Sequence, residues 1–275
     1  MRNRIFIVSA LFLLAGCLGS QPSGSDQASD EIEQPRFFIA DRLGGECTLD
    51  EQGNGRSQTR ANQALANLYN NSDLYISDLR RSTSLTVNHD AFSENWSPIL
   101  FNSYAAAGAN DQALARTIID GLRRLSDGQR YLNEPELITR AQARNFPGCY
   151  SQGPDTPCPS HTPRFVARMY TNLLISAAVL NSYLTEEDRA AIMPWLDQGY
   201  KKFVLPELNA DQEGIYDFAN NGMARLAYAA LTNDMGLARR ELNERRRDFL
   251  RRIEPSGYIR DNSYRGVRAL WYHTY

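Results

Sequence analysis

The amino-acid sequence predicts an all-α fold built of antiparallel helical hairpins. Apolar residues recur at helical spacing through most of the chain after position 60, and the alternation typical of β-strands is scarce. The helical segments are of similar length and are joined by short breaks, which favours hairpins packed side by side. No fixed repeat period is found. A regular helical repeat array is therefore disfavoured, and an irregular toroid of hairpins fits better.

The first residues predict export and lipid attachment. A basic start precedes an apolar run, residues 5–14, which is too short to span a bilayer because a spanning helix needs about 20 residues. Leu-Ala-Gly before Cys17 is typical of a lipoprotein cleavage site. Residues 1–16 are therefore predicted to be a lipoprotein signal peptide, with Cys17 as the lipidated residue. Leu18 stands where an inner-membrane retention signal would favour Asp, which indicates the outer membrane.

Two further regions follow this leader. Residues 17–36 are rich in Ser, Gln, Asp and Gly, cannot bury apolar surface and are expected to form a flexible stalk. Residues 37–275 are long enough for one substantial core and contain no segment resembling a linker, so they are predicted to be a single domain. The net charge of the whole chain, −2 at pH 7, excludes no class of partner.

Helices of the first half are predicted within residues 61–68 and 111–125. In the second of them one apolar stripe faces the core, and two arginines, Arg116 and Arg123, fall away from it. The stripe consists of Ala113, Ala115, Ile118, Ile119 and Leu122.

A longer and more apolar helix is expected over residues 165–184, buried on most of its sides. Thr185, followed by three acids, predicts the start of the next helix. A Thr side chain caps backbone N–H groups, and the helix dipole favours acids in the first turn. That helix is expected to continue through Trp195 towards Phe203 and to end at Pro206.

The last third of the chain predicts three more helical segments. Two helices cover about 220–231 and 236–252, with a break at 233–234. A turn at 254–257 then leads to a final helical stretch over about 264–275.

Three cysteines remain besides Cys17. An oxidising compartment favours pairing, and Cys149 and Cys158 flank a loop of turn-forming residues. A disulfide between them would stabilise the fold by roughly 3 kcal/mol in the chain-entropy model. Cys47 is left over and could pair with either of them instead. No Cys/His spacing matches a zinc site, so no metal is expected.

Positive charge is concentrated near the end of the chain. From residue 239 to residue 268 the sequence has ten Arg against five acids. Such a surplus suits a polyanionic ligand. The alternative is a solvated helix face with ion pairs four residues apart, Glu241 with Arg245 and Asp248 with Arg252. The sequence leaves both interpretations open.

The final helix aligns groups that can transfer protons. On a helical wheel, Arg265, Arg268 and Tyr272 fall on one side of it. Forming a phenolate at pH 7 from an unperturbed Tyr costs roughly 4 kcal/mol, and nearby cations reduce that cost because they lower the phenol pKa. The alternative is a solvated polar face.

These residues also carry a resemblance to a known family. Residues 256–259 (Ser-Gly-Tyr-Ile) and 268–275 (Arg-Ala-Leu-Trp-Tyr-His-Thr-Tyr) resemble the C-terminal motif of mannuronate-type alginate lyases. In the second segment all but one of the fixed places match, since Thr274 stands where Asn is usual. Upstream, residues 220–222 (Asn-Asn-Gly) stand where that family carries Asn-Asn-His. The resemblance covers roughly residues 165–275.

The resemblance implies an incomplete (α/α) toroid whose cleft binds an anionic uronic acid polymer and cleaves it by β-elimination without a metal or cofactor. Asn221 and Arg265 resemble the residues that neutralise the uronate carboxylate, which makes the neighbouring C5 proton acidic. Tyr272 resembles the residue that acts as base or acid. Three further positions resemble substrate-binding residues: Asn220, Arg268 and His273.

The chain also departs from that family. Gly222 has no side chain to replace the family's His. The two lysines lie at 201 and 202, so a family Lys of the N-terminal half has no counterpart. Three arginines are candidates to substitute for it: Arg80, Arg81 and Arg144. The relatives continue for further helices beyond the last motif, so a truncated or shortened domain is expected. His161 is expected in a Pro-flanked loop, where it is either solvated or able to enter the cleft.

The sequence therefore predicts a periplasmic lipoprotein, anchored to the outer membrane, that acts as a polysaccharide lyase on alginate or a related polyuronate. It predicts membrane contact through the lipid anchor only, no nucleic-acid partner and a monomer. One alternative is a non-catalytic polyuronate-binding lipoprotein of the same fold. Another is a helical scaffold that contacts envelope proteins.

Overall fold

The computed structural model describes only part of the chain. The predicted signal peptide, the stalk, all four cysteines and the final predicted helix lie outside the described residues. The described residues are 57–83, 89–143, 161–210 and 215–252, with the single positions 145, 157, 159 and 255. Among them, no helix combines the length and apolar character that crossing a membrane requires.

Every named element of the described chain is a helix, which confirms the all-α prediction. The α-helices are α1 (Gln58–Asn70), α2 (Ser72–Arg81), α3 (His89–Gly108), α4 (Gln112–Asp127), α5 (Arg140–Ala143), α6 (His161–Val179), α7 (Glu186–Gly199), α8 (Leu205–Ala210), α9 (Ile215–Thr232) and α10 (Met235–Arg252). A 3-10 turn (Asn181–Tyr183) follows α6, and a π-helical turn (Tyr200–Val204) joins α7 to α8. An isolated β-bridge pairs Thr83 with Pro157.

Helix α6 holds the central position in the packing, since it contacts α3, α7 and α9. Helix α4 packs against α3 and α7, α9 packs against α10, and α1 packs against both α3 and α4. The fully buried side chains of the core include Trp195, Tyr170, Phe92 and Tyr131.

The central position of α6 accounts for its composition. Val166, Met169, Leu173 and Leu174 are all fully buried, which confirms the prediction of a helix buried on most sides. The helix begins earlier and ends earlier than predicted. His161 is its first residue, so the prediction that this histidine lies in a loop is wrong.

Helix α4 follows the prediction for residues 111–125 closely. Asp111 caps it by accepting a hydrogen bond from the Leu114 N–H at 3.0 Å. The other residues of the predicted stripe are buried, but Ala113 is exposed, so that part of the prediction is wrong. An exposed Ala costs little because its side chain carries little apolar area.

Helix α7 starts as predicted and continues further than predicted. Thr185 and Asp188 form a capping box, in which each side chain accepts a hydrogen bond from the other residue's N–H. The prediction that Pro206 ends this helical path is wrong, because the path passes through the π turn and on into α8. Pro206 lies in the first turn of α8, where a missing N–H costs least, and the π turn shifts the hydrogen-bond register just before it.

The predicted break between α9 and α10 is confirmed. Asn233 has φ 55°, in the left-handed region, and the Asp234 carboxylate accepts a hydrogen bond from the Leu237 N–H at 2.8 Å. Helix α10 matches its prediction, whereas α9 begins at Ile215, earlier than predicted. Positions 220 and 221, where the helix was predicted to begin, therefore lie inside it.

Helices α2 and α3 were not predicted. Helix α3 contains Pro98 and buries polar residues, which hides its helical pattern. The Asn102 amide donates to the Pro98 carbonyl at 2.8 Å and accepts from the Ser57 N–H at 2.7 Å. Asn95 accepts from Asn67 at 3.0 Å. These hydrogen bonds make polar residues acceptable where a periodicity argument expects apolar ones.

Candidate functional site

The site predicted from the sequence is described only in part. Asn220 and Asn221 lie in α9, whose backbone is described at these positions while their side chains are not. Whether these residues converge with the terminal motif therefore stays a prediction. The other predicted site residues lie outside the described residues: Arg265, Arg268, Tyr272 and His273, the lipidation residue Cys17, and the disulfide pair Cys149 and Cys158.

Helix α9 also carries Arg225, one turn after position 221 in the sequence, and the surroundings of this arginine are described.

Arg225 belongs to a charged cluster between α8, α9 and α10. Its guanidinium donates to Glu241 at 3.1 Å and to the Asn209 side chain at 3.2 Å. Glu241, only 1% exposed, also accepts from Arg245, four residues later on α10. This contact is one of the two ion pairs that the sequence suggested for this helix. Burial lowers the pKa of Arg245 against the opposing effect of Glu241.

The cluster is close to electrically neutral. Arg225 and Arg245 are balanced by Glu241 and by Glu244, whose carboxylate lies 3.8 Å from Arg225. A buried Glu held by two arginines fixes α10 against α9. An incoming uronate carboxylate would compete with Glu241 for the same guanidinium groups. We therefore assign Arg225 a structural role in placing α9.

Two tyrosines lie beside this cluster. The rings of Tyr200 and Tyr228 stack with centroids 4.1 Å apart and an interplanar angle of 10°. Burial raises the pKa of Tyr200, although Arg225 acts in the opposite direction. Burial and the hydrogen bond to Asp197 raise the pKa of Tyr228. Both phenols are therefore protonated near neutral pH.

The hydroxyl of Tyr228 donates to Asp197 at 2.6 Å, and Asp197 also accepts from Lys201 at 2.7 Å. We expect Tyr228→Phe to lower the free energy of unfolding by about 1 to 2 kcal/mol, because a hydrogen bond to a carboxylate is lost in a partly buried place. Urea denaturation measures the change. The matched control is Tyr183→Phe, which removes an exposed hydrogen bond to Asn110 and should have almost no effect. Equal losses in the two variants would contradict the assignment.

A second charged cluster joins α4 to α7. Asp188 is fully buried and accepts two hydrogen bonds from Arg116, each 2.8 Å, and one from Arg123 at 3.2 Å. Hydrogen bonding to Arg116 holds the pKa of Asp188 well below its usual range, against the effect of burial. The two arginines that the sequence placed away from the apolar stripe thus serve to join helices.

Two of the three arginines considered as substitutes for the family Lys belong to the described residues, and both already have partners. Arg80 donates to the Glu136 carbonyl at 3.4 Å, and Arg81 pairs with Asp78 at 3.0 Å. Arg144 lies outside the described residues.

An open polar groove runs between α1 and α4. Its volume is about 440 Å³, within the range of small-ligand sites. Polar side chains of both helices line it: Gln58, Asn62, Thr117, Asp120 and Arg124. Amides, hydroxyls and one charge of each sign can hydrogen-bond a hydroxyl-rich ligand. Among the described residues, no group of three His, Cys, Asp or Glu side chains is placed to hold a metal ion.

Comparison with known proteins gives no relative for this chain. No family model, no curated protein and no solved structure matches it.

Sequence reasoning missed most of the Arg225 cluster. Spacing along α10 suggested the contact between Glu241 and Arg245, but Arg225 is sixteen residues before Glu241 and belongs to another helix. Tyr200 and Tyr228 carry no local signal, because their contact depends on how α9 packs beside the π turn.

Proposed function

We propose that the protein is a polysaccharide lyase that cleaves alginate or a related polyuronate by metal-independent β-elimination. The observation that carries the proposal is the run at residues 268–275, which matches the alginate-lyase motif in all but one of its fixed places. The all-helical fold supports it, as does the position of Asn220 and Asn221 on α9, a helix that packs against the central α6.

We further propose that the helices form part of an incomplete (α/α) toroid. In such a fold hairpins stand side by side, with their first helices in one layer and their second helices in another. Contacts from α3 to α6 to α9, and from α4 to α7, agree with this arrangement. The polymer would then bind in the cleft that the hairpins enclose.

The proposed reaction breaks the C5–H bond and the C4–O4 bond of a uronate and forms a double bond between C4 and C5. Asn221 and Arg265 would neutralise the C5 carboxylate by hydrogen bonding and charge, which stabilises the negative charge that develops when the proton leaves. Tyr272 would take the C5 proton as base or donate one to the departing O4 as acid, helped by Arg265 and Arg268 on its own side of the helix. His273 and Asn220 would bind neighbouring parts of the substrate.

The test is incubation with polymannuronate, in which ultraviolet absorbance detects the conjugated double bond of the product. Wild type is expected to form product, and Tyr272→Phe is expected to abolish it because no phenol remains to transfer protons. The matched control, Tyr183→Phe, removes a hydroxyl elsewhere whose hydrogen bond to Asn110 is exposed, and it should retain full activity. If wild type is active and Tyr272→Phe is equally so, the assigned mechanism is wrong even though the substrate is right.

A second candidate is a non-catalytic lipoprotein that holds a polyuronate in the same cleft. Gly222, which stands where the family has His, favours it because the side chain that completes the chemistry is missing. Retention of the protein on immobilised polymannuronate, without release of unsaturated product, would support this candidate against the lyase. Under either candidate we propose a periplasmic protein, attached to the outer membrane through Cys17.

A further inference from the structure

The outward side of α10 combines arginines with exposed apolar side chains. Met235, Leu242 and Leu250 are 36%, 51% and 59% exposed, and all three lie on this one helix. Five arginines of the same helix are also exposed: Arg239, Arg240, Arg246, Arg247 and Arg251. We call these eight residues the α10 outer face.

The spacing places five of these residues on one side of the helix. Met235, Arg239, Leu242, Arg246 and Leu250 recur at intervals of three or four residues and therefore share that side. The buried Glu241 lies on the opposite side. The ion pairs from Glu241 to α9 and within α10 fix this rotation of the helix. The α10 outer face is thus held towards solvent.

Three arginines of this face lack an ion pair within the described residues. Within the described part of the chain, no ion pair is formed by Arg239, Arg246 or Arg247. Glu241 is turned inwards, Glu244 lies towards Arg225, and Asp234 is engaged in capping the start of α10. Cations with no counter-charge attract an anionic surface.

We propose that the α10 outer face lies against an anionic phospholipid surface. The arginines would pair with headgroup phosphates, while the leucines and the methionine would enter the boundary with the acyl chains. The exposed apolar side chains favour lipid over a polyanionic polysaccharide, because a hydrated polymer offers them no apolar region. This contact would add to the lipid anchor predicted at Cys17, and it does not depend on the proposed lyase activity.

Vesicle sedimentation tests the proposal with the full chain carrying Cys17→Ser, which prevents lipidation. Vesicles of phosphatidylcholine alone measure any contribution of the N-terminal residues, and vesicles containing phosphatidylglycerol measure the contribution of charge. We expect stronger binding to the anionic vesicles, weakened by salt. The triple variant Arg239→Gln, Arg246→Gln and Arg247→Gln should lower the partition coefficient about a hundredfold.

Two controls make the test specific. Arg60→Gln, Arg81→Gln and Arg124→Gln remove the same charge from exposed positions on α1, α2 and α4, and should leave binding nearly unchanged. Leu242→Ser with Leu250→Ser should weaken binding about tenfold while preserving its salt dependence.

Three results would overturn the proposal. One is equal binding of the wild type to neutral and anionic vesicles, and another is an equal loss in the two arginine triple variants. The third is loss of retention on immobilised polymannuronate in the α10 triple variant while its vesicle binding stays at the wild-type level. That outcome would assign the face to the polysaccharide.

Discussion

Asp188→Ala is expected to lower the free energy of unfolding by about 3 kcal/mol. The carboxylate is fully buried, receives three hydrogen bonds from Arg116 and Arg123 and completes the capping box at the start of α7. Removing one partner of a buried ion pair costs about 3 to 5 kcal/mol, because the remaining charges lose their compensation. The two arginines are about one-third exposed and regain some hydration, so we expect the lower end of that range.

Urea denaturation monitored by circular dichroism measures this change. The matched control is Glu187→Ala, which removes the neighbouring carboxylate that pairs with Arg123 but is 78% exposed. Its effect should be close to zero, because exposed ion pairs contribute little. A similar loss in both variants would show that Asp188 acts as a surface charge and not as a buried connector.

The same carboxylate predicts how stability depends on pH. The pKa of Asp188 is lower in the folded protein than the value of about 3.9 in an unfolded chain. Its stabilising effect is therefore fully present above about pH 4 and is lost as pH falls further towards its folded-state pKa. Asp188→Asn should remove this part of the acid sensitivity. An unchanged difference in stability between wild type and variant from pH 7 down to pH 2 would contradict the prediction.

Gly199→Ala is expected to lower the free energy of unfolding by about 3 kcal/mol. A Cβ atom at Gly199 would overlap Cε1 of the Tyr170 ring, far inside van der Waals contact. That ring is fully buried, with the Trp195 ring centroid at 5.2 Å and the Phe203 ring centroid at 6.0 Å. It cannot move without displacing these aromatic neighbours, and overpacking a tight core costs about 1 to 3 kcal/mol or more.

Gly236→Ala provides the matched control for that substitution. Its added Cβ would meet only the side-chain ends of Asp234 and Arg240, at 3.2 and 3.3 Å. The Arg240 end can move in solvent, whereas the Asp234 carboxylate also caps the Leu237 N–H, so the gain in helix propensity is partly offset. The free energy of unfolding should therefore change by less than about 1 kcal/mol. Thermal unfolding of both variants measures the difference. A neutral effect of Gly199→Ala would contradict the close packing of α7 against Tyr170 of α6.

Local chemistry decided which parts of the fold could be predicted from the sequence. The cap at Thr185, the break at Asn233 and the apolar stripe of α4 each depend on residues within one or two turns, and each was recognised with the single exception of Ala113. Helix α3 was missed because Asn102 is satisfied by Ser57, forty-five residues away in the sequence. Such compensation is visible only in three dimensions.

In the candidate site, too, features set by neighbouring residues could be predicted and features set by distant residues could not. The terminal motif and the asparagine pair could be found from residue types and spacing alone. The Arg225 cluster could not, because Glu241 reaches Arg225 from another helix. Nor could spacing predict that Arg116 and Arg123 meet at Asp188, more than sixty residues away.

The π turn between α7 and α8 has a consequence for how the protein tolerates changes in length. Tyr200 and Phe203 both lie in it, yet Tyr200 stacks on Tyr228 while Phe203 stacks on Tyr170. The wider turn holds one more residue than an α-helical turn, which separates the directions of these two rings. Deleting Val204 would convert the turn to α-helix, in which residues three apart lie on nearly the same side, and would bring the two rings together. The core could then contain only one of the two stacks, Tyr200 with Tyr228 or Phe203 with Tyr170.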